Sequence, residues 1–431
     1  MTINREILRL AVPNILSNVS VPLISSVDTA LMGRMSELHL GAIGLGAIIF
    51  NFIYWNFGFL RMGTTGISAQ AYGAENRQRM VHTLLRALGI AWGLALLIVA
   101  LQVPIGNLAF QLLEVNEAQR PLVETYWHIR VWDAPATLGL LALMGWFFGM
   151  QNAKYPLILT VVIAAVNTSL SWYLVARLGW SVRGVAYGTL VAQYTGLVLG
   201  FVLFAHRYRF ILPEIRRHLI LQTEELQQFF AVNRDIFLRT LFLTAAFGFF
   251  YRESSALGVT LLAVNTVFLQ FVNWMSYAID GFAYAAESLV GKYVGAQQPA
   301  RVWSVIRRSF GWGLGFALLF SGVYWFGGDA LFGIFSSEAD LLAEARPYLI
   351  WVVLFPVLSF PCYLFDGIYI GLTASRSMLL SAALAFAAFL VSYLLLRDWG
   401  NHGLWTAMLV FMLGRGIFQG LLLRSRGLQL T

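Results

Sequence analysis

Residues 145–154 read GWFFGMQNAK, and residues 367–376 read GIYIGLTASR. When Gly145 is placed on Gly367, the two stretches share a glycine at the first position, a glycine at the fifth and a basic residue at the last. Glycines four residues apart lie on one face of a helix and let two helix backbones approach closely. The pair of stretches therefore predicts a chain made of two similar halves.

Other positions repeat in the same register, or in nearly the same register once small gaps are allowed. They are Gly73 and Ala74 with Gly295 and Ala296, Leu40 with Leu262, Tyr126 with Tyr348, residues 5–7 with 234–236, and Gly184 with Gly403. Connecting residues match as well as apolar ones, so chance similarity between apolar runs is a poor explanation. With six spans per half, the two repeats keep the same orientation about an axis along the membrane normal.

The composition indicates that the protein lies in a lipid bilayer. Apolar residues make up 59% of the 431 positions and charged residues only 12%, whereas soluble domains carry about 25% charged residues. Long runs without an Asp, Glu, Lys, Arg or His side chain recur, for example Ala87–Leu101, Leu157–Val166 and Leu314–Phe326. The 14 Trp and 17 Tyr suit a protein with two lipid–water interfaces. We therefore predict an all-α integral membrane protein.

A spanning helix needs about 20 mainly apolar residues, and this length gives twelve spans. They lie near 10–33, 40–62, 83–110, 121–148, 156–176, 184–205, 235–257, 259–290, 303–327, 344–371, 378–396 and 402–423. The predicted domains are an N-lobe over 1–206, a cytoplasmic linker over 207–233 with a short amphipathic helix on the membrane, and a C-lobe over 234–431. The first span is predicted to be retained in the protein and not removed as a signal peptide.

Basic residues predict the orientation. With the N-terminus inside, alternate connections hold 19 Lys and Arg on the inside and 7 on the outside. This bias agrees with the positive-inside rule and favours an even number of spans. We expect a multi-pass protein of the cell inner (plasma) membrane with both termini in the cytoplasm, and we expect a monomer.

Asp28 is the most informative ionisable residue because it lies in the first span. Positions three or four residues apart carry Ser17 and Asn14 onto its helical face. A stripe of small and polar groups that ends in a carboxyl suits a wet cavity, where poor solvation would let the group bind and release a proton. The alternative is a structural carboxylate near the outer surface or paired with Arg34.

Two further features surround Asp28. Pro13 and Pro22 each remove a backbone hydrogen bond, so the first span is predicted to bend there. The fifth and sixth spans carry polar pairs at a spacing of four residues, which offer either a network around Asp28 or ordinary contacts between helices. These pairs are Asn167 with Ser171 and Thr189 with Gln193.

A second polar stripe lies in the eighth span, where Asp280, Tyr284 and Glu287 share one face. It predicts either a second ion site or a gate closed by pairing with Arg61 or Lys292, and we favour the structural pairing. For Asp366, which precedes Gly367, a functional and a structural role are about equally supported. Asp133 lies three residues after Arg130, which predicts a local ion pair.

Several classes of function are disfavoured by the sequence. It contains no GxxxxGK[ST], HExxH or GxSxG motif and no Cys/His ligand cluster. It also lacks a basic cluster with interleaved aromatics of the kind that binds nucleic acid. We expect no enzymatic activity, cofactor or metal, and we expect transport to be driven by an ion gradient.

Five motifs carry a resemblance to a known family: residues 27–30 (VDTA), 59–66 (FLRMGTTG), 69–74 (AQAYGA), 277–287 (YAIDGFAYAAE) and 400–405 (GNHGLW). With them the chain resembles the DinF-like branch of the multidrug and toxic compound extrusion (MATE) family over essentially its whole length. The resemblance implies two six-helix lobes around a central cleft, with antiport of drugs against protons or sodium. It also implies that Asp28 is the coupling acid, that the helix bends at Pro13, and that Asn167 and Thr189 lie near the acid.

One position departs from that family. Many relatives carry an aspartate four residues after the asparagine, where this chain has Ser171. A single acid in the N-lobe favours protons over sodium as the coupling ion. We expect a secondary active exporter of small hydrophobic or cationic compounds. The alternatives are a sodium-coupled antiporter, or a flippase for a lipid-linked precursor, whose cavity should be strongly basic, whereas the ionisable residues that could face a cavity here are mostly acidic.

Overall fold

The computed structural model describes residues 2–33, 35–220, 222–335 and 339–426, with side chains throughout except at 21–27, 30, 217, 218, 339 and 426. Within these ranges every regular element is a helix, which confirms the all-α class. In lipid each backbone N–H and C=O must be paired within the protein, and a helix achieves this within one segment.

The α-helices are α1 Ile3–Gly33, α2 Glu37–Asn56, α3 Phe59–Gly73, α4 Arg77–Ala100, α5 Gln102–Leu112, α6 Arg120–Arg130, α7 Ala134–Gly149, α8 Lys154–Ala176, α9 Ser181–Tyr208, α10 Arg217–Ile220, α11 Thr223–Ala256, α12 Val259–Gly295, α13 Pro299–Gly333, α14 Ala339–Ala345, α15 Leu349–Gly371, α16 Ser375–Leu396 and α17 Asn401–Arg426. Short 3₁₀-helices occupy Val131–Asp133, Arg209–Glu214, Arg346–Tyr348 and Arg397–Trp399.

Ten helical segments among the described residues are long and apolar enough to cross a membrane. They include Glu37–Gly73, which combines α2 and α3 and extends well beyond the span predicted at 40–62. The charged residues of α11 make it less apolar than its neighbours, with Arg234, Asp235 and Arg239 within two turns. The count of twelve spans stays a prediction.

The chain divides into two compact units, which are Met1–Ile15 with Phe230–Thr431 and Leu16–Phe229. This grouping differs from the predicted lobes for Met1–Ile15 and for most of the predicted linker. Glu6 accounts for the first difference, because Lys292 donates to Glu6 Oε2 at 3.0 Å and Tyr293 donates to Glu6 Oε1 at 3.0 Å. The lobe boundaries at 206 and 234 stay a prediction.

The linker is largely helical. It contains α10, and α11 already begins at Thr223, inside the predicted 207–233 segment. Buried Arg86 on α4 holds it through Nε to Ile220 O at 2.7 Å and Nη2 to Leu219 O at 2.7 Å, and through an ion pair with Glu225. Residues 207–229 of the linker therefore belong to the compact unit Leu16–Phe229, and residues 230–233 belong to the other unit.

The repeat is visible in the packing of its glycines. A Cβ added at Gly145 would lie 2.9 Å from Arg61 Cα, and one added at Gly367 would lie 3.1 Å from Ala283 Cα. Arg61 and Ala283 are themselves equivalent positions in the register that places Gly145 on Gly367. Both glycines therefore allow the same close approach, α7 on α3 in one unit and α15 on α12 in the other.

The second glycine of each stretch repeats this relation. Gly149 lies against the backbone of Thr65, and Gly371 lies against the backbone of Glu287, which is the position equivalent to Thr65 in the second half. The left-handed residues pair in the same way. They are Glu75 (φ 54°) with Gln297 (φ 54°), and Gln151 (φ 60°) with Thr373 (φ 54°). The two halves thus share helix contacts and helix ends, as the sequence predicted.

Gly367→Ala should lower the melting temperature of the detergent-solubilised protein, because overpacking at a tight contact costs about 1–3 kcal/mol. The matched control is Gly315→Ala on α13, where an added Cβ meets nothing within 4 Å. The control should be neutral or slightly stabilising, since alanine favours a helix by about 1 kcal/mol over glycine. Equal melting temperatures for the two variants would contradict the proposed role of Gly367.

Candidate functional site

Asp28 lies in α1 and is buried, with 7% of its surface exposed. The polar side chains that approach its carboxyl group are Ser171 and Asn167 on α8, and the positive charge that acts on it is Arg130. Its Oδ1 atom has no hydrogen-bond partner in the part of the chain that the structure describes. The arrangement is a single carboxyl group with neutral hydrogen-bond partners, on which the charge of Arg130 also acts.

A hydrogen bond joins the two neighbouring helices at this point. Asn167 Nδ2 donates to Thr189 Oγ1 on α9 at 2.8 Å, and both side chains are buried. Of the residues predicted to surround Asp28, the structure therefore brings Asn167, Ser171 and Thr189 together. Gln193, one turn beyond Thr189, is partly exposed.

Gly188 positions Ser171. A Cβ at Gly188 would lie 2.9 Å from Ser171 N and 3.1 Å from Ser171 Cα, so only glycine permits this approach of α9 to α8. Gly188 was not among the site residues predicted from the sequence. Because it stands four residues after Gly184, which repeats in the second half, its spacing was a signal that could have found it.

Asn14 and Ser17 are both buried in α1, as expected of a polar stripe, although Asn14 belongs to the other compact unit. The helix is continuous from Ile3 to Gly33 and so passes through Pro13 and Pro22. The side chain of Pro22 is outside the described residues, as is Arg34. Bending at either proline stays a prediction.

Arg130 is held away from lipid by a buried network in the same unit. Its Nε pairs with Asp133 Oδ2 at 2.5 Å, which confirms the predicted ion pair, and its Nη1 donates to Tyr126 OH at 2.7 Å. Tyr54 also donates to Asp133, and the guanidinium lies 4.7 Å from the centre of the Phe50 ring. Asp133 therefore balances the charge of Arg130, and that charge also acts on Asp28.

The second half contains a different arrangement around Asp366 on α15. Arg239 on α11 and Arg415 on α17 both form ion pairs with Asp366 Oδ2. Gln419 Nε2 donates to Asp366 Oδ1 at 2.7 Å. These contacts give Asp366 a fixed, charged environment, which favours the structural role for this residue.

Arg239 is one of the 19 basic residues that the orientation prediction counts in connections on the inside. It lies instead in the middle of α11 and is 7% exposed. Together with Arg415, which is 1% exposed, it places basic side chains in the interior, where buried carboxyl side chains still outnumber buried arginines among the described residues. Arg239 lies about one turn after the start of the span predicted at 235–257. The sequence alone does not show that α11 already begins at Thr223, so this guanidinium was counted with the connection before the span.

The predicted stripe on α12 is only partly buried. Asp280 and Tyr284 are partly exposed, and Glu287 is buried. The charge of Asp280 acts on Arg239. Lys292, considered as a gate partner, pairs with Glu6 at 3.0 Å.

Arg61, the other residue considered for a gate, is buried on α3. Its guanidinium lies 5.9 Å from the centre of the Phe148 ring, and its carbonyl accepts a hydrogen bond from Thr65 at 2.9 Å. Among the described residues, no three His, Cys, Asp or Glu side chains form a group suited to a metal ion.

Thr189→Val should destabilise the protein, because it leaves the buried amide of Asn167 without its partner at a cost of about 1–3 kcal/mol. It should also slow transport, since Asn167 is then free to leave the carboxyl group of Asp28. The control is Thr195→Val on the same helix, whose hydroxyl only donates to Val191 O at 2.8 Å. Thermal unfolding and transport rate should change little in the control, and equal losses in both variants would contradict the network.

The chain matches known proteins in two segments, one in each half. The family model MatE matches residues 13–173 and 237–396. DNA damage-inducible protein F of Escherichia coli (strain K12) is 38% identical over 417 residues, which is 96% of this chain and 90% of that protein. A probable multidrug resistance protein NorM of Pseudomonas syringae pv. tomato is 25% identical over 342 residues, covering 78% of this chain and 74% of that protein.

Solved structures show the same fold. A MATE in the bent conformation superposes with a TM-score of 0.89 at 18% identity and covers 99% of this chain and 96% of that one. An outward-facing multidrug resistance MATE family transporter superposes with a TM-score of 0.88 at 18% identity and covers 100% and 97%. The family assignment rests on three findings that agree: the two segments matched by the family model, the identity to the Escherichia coli protein and the shared fold. This chain belongs to the MatE family of multi-pass membrane transporters.

Proposed function

We propose that this protein is a secondary active exporter that exchanges protons for small hydrophobic, often cationic, compounds by alternating access. The observation that carries the proposal is the buried carboxyl group of Asp28 among the neutral side chains of Asn167 and Ser171. Such a carboxyl group can exist in a charged and a neutral form, and a bound cation and a bound proton stabilise opposite forms. The names of several relatives as multidrug resistance proteins support the substrate class.

We propose that the protein acts as a monomer in the inner membrane with both termini in the cytoplasm. The distribution of basic residues supports this orientation of the termini. Protons are preferred to sodium because Ser171 supplies a hydroxyl where a second carboxylate would strengthen a cation site. A hard cation prefers several charged oxygen ligands. The site around Asp28 has one carboxylate together with neutral oxygens.

Asp28→Asn should abolish export driven by a pH gradient in proteoliposomes while leaving expression and folding intact. The amide keeps the size and polarity of the side chain and removes the group that exchanges a proton. The control is Glu124→Gln on α6, whose carboxylate forms an exposed ion pair with Arg120 at 2.8 Å. Normal export and normal proton exchange by the Asp28 variant would show that coupling occurs elsewhere.

The same assay distinguishes protons from sodium as the coupling ion. In sodium-free buffer the wild-type protein should export at an unchanged rate under a constant pH gradient. If transport stops and returns when sodium is added at constant pH, the sodium-coupled alternative replaces the proposal.

Protonation should act through the shape of α1. Charged Asp28 makes charge-assisted hydrogen bonds worth about 1.5–3 kcal/mol each, and neutral Asp28 loses them. Because Pro13 and Pro22 have already removed backbone hydrogen bonds, straight and bent forms of α1 can differ by a similarly small free energy. The boundary between the two compact units falls within α1, two residues after Pro13, which supports a hinge there. Bending would reduce the space for the substrate.

Spin labels on exposed Val12 of α1, which precedes Pro13, and exposed Ile158 of α8, in a background without Cys362, measure this change. The distance distribution should differ between low and high pH in the wild-type sequence and should not respond to pH in Asp28→Asn. An invariant distance in a protein that still exports under a pH gradient would refute bending as the coupling step.

A further inference from the structure

One guanidinium of the first half serves two buried carboxyl groups. Arg130, at the end of α6, pairs through Nε with Asp133 Oδ2 at 2.5 Å, and its charge also acts on Asp28 of α1. All three residues belong to the compact unit Leu16–Phe229. Arginine stays charged in proteins. The three groups therefore carry one net negative charge when Asp28 is ionised and no net charge when Asp28 is protonated.

Asp133 does not depend on Arg130 alone for hydrogen bonds. It is completely buried, and its Oδ1 atom accepts from Tyr54 OH on α2 and from Thr137 Oγ1 on α7 at 3.3 Å. Arg130 uses the other oxygen, Oδ2. Hydrogen bonds to a carboxylate favour its charged form. The two hydroxyl groups therefore continue to stabilise the Asp133 carboxylate if the guanidinium moves away.

Tyr126 of α6 lies between the guanidinium and Asp28. Arg130 Nη1 donates to Tyr126 OH at 2.7 Å, and the charge of Asp28 acts on the same phenol. Asp28 Oδ1 is buried and accepts no hydrogen bond from the described residues, so it offers an acceptor for a guanidinium donor. Further polar groups that face these charges come from α2, α8 and α9 and are uncharged near neutral pH: Tyr54, Asn167, Ser171 and Tyr194.

The backbone changes its helix type between Arg130 and the carboxylate of Asp133. The 3₁₀-helix Val131–Asp133 interrupts the apolar segment Arg120–Gly149, and Pro135 follows in the first turn of α7. A 3₁₀ stretch within a longer helix often marks a hinge, and a proline cannot donate a backbone hydrogen bond. A small backbone change at this point is therefore enough to alter the distance between the two side chains.

We propose that Arg130 is a positioning residue for proton coupling, and that its guanidinium is exchanged between Asp133 and Asp28. While Asp28 is neutral, the guanidinium pairs with Asp133. When Asp28 loses its proton, the guanidinium moves toward Asp28, and Tyr54 and Thr137 continue to donate to Asp133. A net charge within the membrane is costly, and either a proton or a cationic compound removes it. This inference rests on the proposed function, because it names the residue that positions the counter-charge of the coupling acid.

Infrared difference spectra of the purified full-length protein follow both groups in one pH titration. The carboxyl C=O band that Asp28→Asn removes reports the protonation of Asp28, and the guanidinium band that Arg130→Gln removes reports the contacts of Arg130. In the wild-type protein both bands should change with the same midpoint. In Asp28→Asn the guanidinium band should not respond to pH.

Two opposite results would overturn the exchange. One is a guanidinium band that stays constant while Asp28 titrates, which would show that Arg130 remains on Asp133. The other is a guanidinium band that still follows pH in Asp28→Asn, which would show that another group moves it.

Two variants should move the midpoint of the Asp28 band in opposite directions. Arg130→Gln removes a positive charge that favours ionised Asp28, so the midpoint should move to higher pH by about one unit. Asp133→Asn leaves the guanidinium to Asp28 alone, so the midpoint should move to lower pH by about one unit. The variant with both changes buries neither charge and should titrate between the two. Where Arg130→Gln does not fold, its comparison with Asp133→Asn gives the same sign.

The control is Arg120→Gln on the same helix, taken from an exposed ion pair with Glu124 at 2.8 Å, and it should keep the wild-type midpoint. Partial misfolding changes the size of a band, whereas a change of local charge moves its midpoint. Midpoints that agree in all variants, or that move in the same direction in Arg130→Gln and Asp133→Asn, would overturn the role of Arg130.

Transport in proteoliposomes separates this inference from the proposed function. If Asp28→Asn exports normally under a pH gradient, the proposed function fails whatever the spectra show. If Asp28→Asn loses export while the Asp28 band keeps its midpoint in Arg130→Gln and Asp133→Asn, the proposed function stands and the exchange is overturned. A wild-type protein that exports over a pH range in which no Asp28 band titrates would overturn both.

Discussion

Close approach of helix backbones at glycine is the constraint on which both halves depend. At Gly149 and Gly371 the missing side chain lets one helix lie directly on the backbone of another, against Thr65 in one half and Glu287 in the other. Association of helices in lipid depends on such packing, because lipid tails are as apolar as the side chains they replace. The same contact, placed twice in the chain, holds α7 on α3 and α15 on α12.

On this shared framework the two halves carry different chemistry. In the first half Asp133 pairs with Arg130, and the hydrogen-bond partners of Asp28 are the neutral Ser171 and Asn167, with the charge of Arg130 acting on it. In the second half a buried carboxylate, Asp366, is saturated by Arg239, Arg415 and Gln419. Removing the charge of Asp366 would leave two guanidiniums unbalanced, whereas the hydrogen-bond partners of Asp28 are neutral. The repeat therefore extends to the backbone and to connecting residues such as Lys154 and Arg376, and not to the buried acids Asp28 and Asp366.

The cost of burying a charge explains why the buried arginines lie next to carboxylates and aromatic rings. An isolated charge in the hydrocarbon region costs about 2.5–3.5 kcal/mol on insertion scales, and partners reduce that cost. Arg130 has a carboxylate, a phenol and an aromatic face around it, and Arg415 has a carboxylate and an aromatic face. Asp28 has polar neighbours but no ion pair of this kind among the described residues, which is consistent with a role that requires it to lose and regain its charge.

The sequence by itself determined the solvent, the helical class, the two-fold repeat and the family resemblance, because each depends on composition or on spacing along the chain. It also determined that Arg130 and Asp133 pair, since three residues along a helix bring side chains together. Only the tertiary structure decided that Asn167 bonds to Thr189, that Gly188 positions Ser171, and that Arg239 is buried against Asp366. These contacts join different helices. The periodicity of a helix predicts which residues share one face, but it does not predict which other helix packs against that face.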